Sequence, residues 1–420
     1  MSVPHPWLLI FAVTTLLLLL GATSALVNSR LWISEPLACA LFGVAIGPVG
    51  VGLLRLDPGQ SEVARHFLLE VARFTLAIAV LAAAIRLPPR WLRGNWRGLA
   101  AALGPGMVMM WAAGALVTRF TTGLPWLVSV LIGAIVAPTD PVLSAPVVSG
   151  ELARKSVPEE LRNAITAESG INDGLAAPLV LLAVLLVQAK GVVSGRGLAD
   201  WALDAVVWQV GSAVVVGAAA GFAAKNLAST AAHKMGAERS SLLTLALALA
   251  LATLAGLQAI GGNGVLGAFV AGAVLQYAYD EEYQEHQDNF NEAITRFFDL
   301  PVMVLLGAAA PWAAWRAMGW WAVAFAVGIL VLRRMPAWLL LRRAFPWTRS
   351  FSENLFVGWF GPIGAAAMFY ALEAQHMTGL MSLWPVVSLA ACASVLAHGV
   401  SGTHLSAMLG DRLDRRENAK

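Results

Sequence analysis

Residues Ala137–Pro141 read APTDP and residues Ala167–Pro178 read AESGINDGLAAP, each inside a long apolar run. In the first stretch Pro138 and Pro141 lack amide protons and crowd the turns before them, so a helix must break there. The break leaves free carbonyls and two half-helix ends beside Asp140, near the middle of the run. Non-helical backbone at membrane depth is tolerated only where protein encloses it or a cavity borders it. Interrupted helices of this kind are also how membrane carriers bind ions. In the second stretch Glu168 and Asn172 form one i,i+4 pair and Ser169 and Asp173 another, so all four project from one helical face. Two carboxylates, an amide and a hydroxyl on an otherwise apolar helix must meet another polar group or water.

The rest of the chain supports a lipid setting. Of its 420 residues 58 % are hydrophobic and only 13 % charged, and the mean hydropathy is +0.71. A soluble domain carries about 25 % charge. Disorder is excluded by the aliphatic content. Nucleic-acid binding is disfavoured because the net charge is only +3 and the basic residues are scattered through short loops. The two cysteines, Cys39 and Cys392, lie in apolar runs and form neither a disulfide framework nor a zinc motif.

A membrane helix needs about 20 mostly apolar residues. About thirteen such runs are present: 7–26, 32–53, 66–85, 98–119, 124–149, 163–189, 201–224, 241–260, 264–279, 292–309, 319–341, 352–374 and 380–408. The first reads as a span with its N-terminus outside rather than as a signal peptide, because MSVPHP has no Lys or Arg. With the tail (409–420) in the cytoplasm, Arg30, Arg86, Arg90, Arg93, Arg97, Arg154, Lys155, Arg162, Lys225, Lys234, Arg239, Arg296, Arg342, Arg343 and Arg349 fall inside. Outside or on the outer ends of spans fall only Arg55, Arg65, Arg73, Arg119, Lys190, Arg196 and Arg316, which obeys the positive-inside rule. The acidic stretch Tyr279–Asn291 reads as a solvated cytoplasmic loop.

Ionisable groups within a span are costly unless paired, so each is a functional candidate. Arg333 and Arg334 lie in the eleventh run and cannot shed their protons. Either one finds Glu168, or the pair snorkels to the headgroups. Glu70 and Arg73, at i,i+3, can neutralise each other, and His398 and His404 read as packing histidines. A carboxylate buried at the end of a water-filled funnel resists a bare charge and holds either a proton or a small cation. Asp173 is the best candidate for that carrier, with Asp140 beside it. If the open side changes only when the group is neutralised, competition for one carboxylate couples the two ions.

TDP in one span and ESGIND in the next resemble the monovalent cation:proton antiporters of the NhaP type, a branch that includes the animal sodium/proton exchangers. ISEPLACALFGVAIGPVGVGLL (33–54) looks like that family's second span and GGNGVLGAFVAGAVL (261–275) like its ninth. FVGWFGPIGAAAMFYAL (356–372) is similar to its second broken helix. The resemblance implies an all-α polytopic fold of two inverted repeats, with a crossed pair of broken helices, in a single unit spanning 1–420. The core spans would be about 98–189 and 319–408, moving against dimerisation spans. It implies that Asp173 binds the ion or proton and that Asp140, the Thr139 carbonyl and the Ser169 hydroxyl complete a monovalent-cation shell. Asn172 stands where electrogenic relatives have a second aspartate, which implies electroneutral one-for-one exchange. Glu168 would pair with an arginine of the eleventh span, Arg333 in preference to Arg334.

The expected activity is exchange of Na⁺, with Li⁺ or K⁺ as other candidates, for H⁺. The expected form is a homodimer in a bacterial inner membrane, with no cofactor and no enzymatic reaction. The chain departs from the family where 76–87 (LAIAVLAAAIRL) lacks the third-span glutamate of some archaeal members, and where Ile363 replaces an arginine many members carry. A sodium-coupled symporter of the same general fold would need further hydrogen-bonding residues in the core. An intramembrane aspartyl protease could use two aspartates sharing a proton, but expects YD and GxGD in place of TDP and INDG. A channel is disfavoured because the broken helices sit within one chain rather than in a ring of subunits.

Overall fold

The computed structural model describes residues 14–16, 34–235, 240–278 and 295–417, and every regular element among them is helical. Nearly all of the expected first span and the stretch Tyr279–Asn291 lie outside the described residues.

Helix α1 (Glu35–Ile46) opens on Ser34, whose hydroxyl accepts from the Leu37 amide at 3.4 Å, with Pro36 in its first turn. Helix α2 (Glu62–Ile85) is capped in the same way by Ser61, and from Thr75 to Ile85 it is buried on every side. A helix apolar all round belongs at the centre of a bundle. Helix α3 (Trp96–Thr122) widens into a looser turn over Ala102–Gly106, where Pro105 removes a backbone donor. Helix α4 (Trp126–Ile135) stops in mid-bundle, and the chain regains helix only at the turn Ala145–Val148. Helix α5 (Glu159–Gln188) follows without interruption for 30 residues, about 45 Å at 1.5 Å per residue.

Then come α6 (Gly195–Leu227), α7 (Ser240–Ala259) and α8 (Gly264–Leu275), the last capped by Asn263. Helices α9 (Leu300–Ala308) and α10 (Trp312–Met318) belong to a pair bent by 59°. Helix α11 (Trp320–Leu340) is interrupted at Arg333–Arg334, two residues before Pro336. Helices α12 (Phe351–Trp359) and α13 (Ala365–Thr378) are two halves of one interrupted run, and α14 (Leu383–Glu417) is the last described helix.

Among the described residues six helices are long and apolar enough to cross a membrane, or seven if α9 and α10 form one span. Several apolar runs instead become short helices. Helices α1, α4 and α8 have 12, 10 and 12 residues, and proline and glycine cut the runs that contain α1 and α4. Close helix approach rests on small residues. A Cβ on Gly43 of α1 would strike the Val304 carbonyl of α9, and one on Gly307 would strike that of Ala40. The segment expected as a tail from 409 remains helical to Glu417. Leu405, Leu409 and Leu413 recur every four residues and keep one face on the core.

Candidate functional site

The two breaks meet. Residues 136–144 between α4 and the turn at Ala145, and 360–364 between α12 and α13, are joined by the Asp140 amide donating to the Pro362 carbonyl at 2.9 Å. The Asp140 side chain serves both. Its Oδ1 accepts from the amides of Val142 at 2.7 Å and Leu143 at 3.2 Å, closing its own turn. Its Oδ2 accepts from the Ala365 amide, the first residue of α13. A carboxylate is favoured at a helix N-terminus because the first amides have no partner within the helix. Gly364 makes the approach possible, since a Cβ there would lie 2.7 Å from the Asp140 carboxyl carbon.

The polar face of α5 packs on the first break. The Thr139 amide donates to Asn172 Oδ1 at 3.1 Å, and Asn172 Nδ2 donates to the Thr139 hydroxyl at 2.8 Å. The Thr139 and Ser169 hydroxyls are 3.0 Å apart. Asn172 Nδ2 also lies 3.4 Å from Glu168 Oε1. Asp173 differs from its neighbours. It has no exposed surface, and neither carboxylate oxygen has a hydrogen-bond partner among the described residues. The charges of Asp140 and Glu168 act on it from nearby.

Two groups not anticipated from the sequence hold the backbone around Asp173. The Tyr370 hydroxyl of α13 donates to the Asp173 carbonyl at 2.5 Å. Pro178 has no amide for the Gly174 carbonyl four residues earlier, and Asn263 Nδ2 supplies one at 2.8 Å while its Oδ1 caps α8. An intrahelical proline announces the orphaned carbonyl in the sequence, but not that Asn263, 89 residues away, fills it.

The expected partner of Glu168 was Arg333, but the structure pairs it with Arg334. Arg334 makes a two-pronged ion pair with Glu168, Nη2 to Oε2 being 2.6 Å. It also donates to the Val357 carbonyl from Nε and Nη2, and lies over the Trp338 ring at 3.7 Å. Arg333 has a different role. Its Nη1 donates to the carbonyls of Val136 and Ala137 at 2.8 Å each and of Pro138 at 3.3 Å, and its Nη2 to that of Gly361. These are carbonyls the breaks leave free, so one cation neutralises the negative ends of both half-helices. Neither arginine snorkels, as they are 3 % and 1 % exposed.

Farther along α13, Glu373 joins the pair read from Glu70 and Arg73. Arg73 is 2.7 Å from Glu70 on its own helix and 3.7 Å from Glu373. About 300 residues separate the two elements, so sequence spacing offered no sign of Glu373.

Known proteins share both sequence and fold with this chain. The Na⁺/H⁺ antiporter 2 of Zygosaccharomyces rouxii is 30 % identical over 413 residues, covering 90 % of this chain and 50 % of that protein. A Na⁺/H⁺ antiporter of Saccharomyces cerevisiae is 29 % identical over 423 residues, covering 91 % of this chain and 42 % of that one. The chain thus spans about half the length of the curated relatives it matches. The solved structure of the sodium proton antiporter MjNhaP1 from Methanocaldococcus jannaschii shares the fold, with a TM-score of 0.70 at 19 % identity over 95 % of this chain and 99 % of that one. The family described as "Sodium/hydrogen exchanger, transmembrane" matches residues 13–408, nearly the whole chain, and the chain belongs to it.

Proposed function

We propose that the chain exchanges a monovalent cation for protons across a membrane, with sodium the first candidate and lithium and potassium the others, and that the two ions compete for Asp173. The observation that carries this reading is the contrast at the site. Thr139, Asp140, Glu168, Ser169 and Asn172 all have hydrogen-bond partners, while the fully buried Asp173 carboxylate has none among the described residues. A bare buried charge costs several kcal/mol. Asp173 is therefore neutralised by a proton or by a cation, and one carboxylate does not hold both. Exchange follows when only the neutralised form changes the side to which it opens.

In this reading Asp140, the Ser169 hydroxyl and the Thr139 carbonyl complete the cation's oxygen shell, and Asn172 fixes the first break without titrating. One titrating group per cycle makes the exchange electroneutral, one for one. The moving core comprises about 98–189 and 319–408, related as inverted repeats, and the remaining spans form the homodimer. The protein lies in a bacterial inner membrane with its C-terminus in the cytoplasm. It needs no cofactor and catalyses no covalent reaction. No observation favours a sodium-coupled symporter.

The test is collapse of an imposed pH gradient in proteoliposomes on adding Na⁺, Li⁺ or K⁺, with voltage clamped by a permeant ion the protein does not carry. Cation-dependent proton movement that disappears in Asp173→Asn is the expected result. Absence of movement with every cation, at each pH from 5 to 9, defeats the proposal.

A further inference from the structure

Two side chains of α14 close on the second break. Ser394 has no exposed surface and His398 is almost entirely buried. The Ile363 amide donates to Ser394 Oγ at 2.7 Å. Ser394 Oγ is 3.1 Å from His398 Nδ1, and His398 Nε2 is 2.9 Å from the Trp359 carbonyl. The indole of Trp359 in turn donates to Ser401 Oγ, one turn below on α14.

Nδ1 also lies 2.9 Å from the Ser394 carbonyl, so each ring nitrogen faces a carbonyl, which only accepts. Ser394 Oγ accepts from the Ile363 amide and stays within hydrogen-bond distance of Nδ1. A Ser–His pair at i,i+4 thus ties down both ends of the break, the last residue of α12 and the last amide but one before α13. Ile363 contributes its amide to this arrangement. On either side of Ile363 stand the two groups that hold Asp140, the Pro362 carbonyl and, two residues on, the Ala365 amide. The charged groups acting on His398 are Arg333 and Arg334 of α11, both bound as described above.

We propose that His398, acting through Ser394, is a positioning residue of the ion site: it fixes Pro362–Ala365 against Asp140 and thereby sets the apparent cation affinity of exchange. The proposal rests on the exchange reading. It differs from a packing role, which would affect stability and leave the response to cation concentration alone.

The experiment combines cation-dependent exchange in proteoliposomes with amide hydrogen exchange across 359–366, in His398→Leu, His398→Gln, Ser394→Ala and the Leu/Ala double variant. Losing one buried hydrogen bond should raise the apparent KM for the cation about tenfold in His398→Leu, with a smaller change in maximal rate. Ser394→Ala should shift KM in the same direction. The double variant should add little, because both residues serve one contact. His398→Gln, whose amide can donate to Trp359, should recover part of the affinity. Amides 363–365 should exchange faster in His398→Leu and Ser394→Ala. Unchanged KM together with unchanged protection overturns the proposal. If His398→Leu does not fold, Ser394→Ala decides the matter by the same two measurements. If the wild type moves no protons with any cation, the exchange reading fails, and protection of 363–365 alone then decides whether the clamp exists.

Discussion

Asp140 and Asp173 are the same residue type, sit one span apart and have no exposed surface, yet their surroundings are opposite. Asp140 accepts from three backbone amides and ties one broken helix to the other. Asp173, on an unbroken helix, accepts from none among the described residues. Unwound backbone supplies amides that a carboxylate can use, whereas a regular helix spends its amides on its own carbonyls. The break therefore saturates Asp140 with backbone amides and leaves the Asp173 carboxylate without a partner among the described residues, the contrast on which the proposed exchange at Asp173 rests.

The largest effect that would break this contrast is on transport. Asp173→Asn should reduce cation-dependent proton movement at least about 100-fold, since an amide takes no proton in this pH range. Its melting temperature should stay near that of the wild type. Exchange at the wild-type rate would end the assignment of Asp173 as carrier.

Next in size is a change in stability. Arg334→Met should cost about 3–5 kcal/mol in thermal or denaturant unfolding, because it strands the buried Glu168 carboxylate. Adding Glu168→Gln should restore part of that loss. A milder result for Arg334→Met than for Arg333→Met would contradict the pairing.

Asp140→Asn sharpens the comparison. The amide oxygen can still accept from Val142 and Leu143, but its NH₂ then faces the Ala365 amide, donor against donor. A loss of about 1–3 kcal/mol is expected from that mismatch. The accompanying fall in exchange should be smaller than for Asp173→Asn, as measured in the same vesicles. The smallest expected effect belongs to Asn172→Asp. Exchange should persist but become dependent on membrane potential, because a second group then titrates; rates unchanged across imposed potassium-diffusion potentials would rule this out.

Much of the site could be read in the residues alone because its signals are local. Two prolines three apart announce a break wherever the chain goes, and the 3.6-residue period places Glu168, Ser169, Asn172 and Asp173 on one face without knowledge of their partners. The resemblance carried by TDP and ESGIND agrees with the family that residues 13–408 match. The choice between Arg333 and Arg334 was not legible. Adjacent residues on a helix project about 100° apart, but α11 is interrupted at this pair, so its regular period no longer says where each side chain points. The structure sends Arg334 to Glu168 and Arg333 to the free carbonyls of both breaks.

By itself, the sequence determined the lipid setting, the first break and the polar face of α5, since composition, proline chemistry and helical period need no other part of the chain. Helix packing settled which carboxylate is saturated and which has no partner among the described residues. It also decided which arginine meets Glu168 and that Asn263, Tyr370, Ser394 and His398 hold the surrounding backbone. Those outcomes depend on contacts between residues dozens to hundreds of positions apart. A hydrogen bond forms only where donor and acceptor come within about 3 Å in a suitable direction, and that meeting is set by helix packing, which no local pattern encodes.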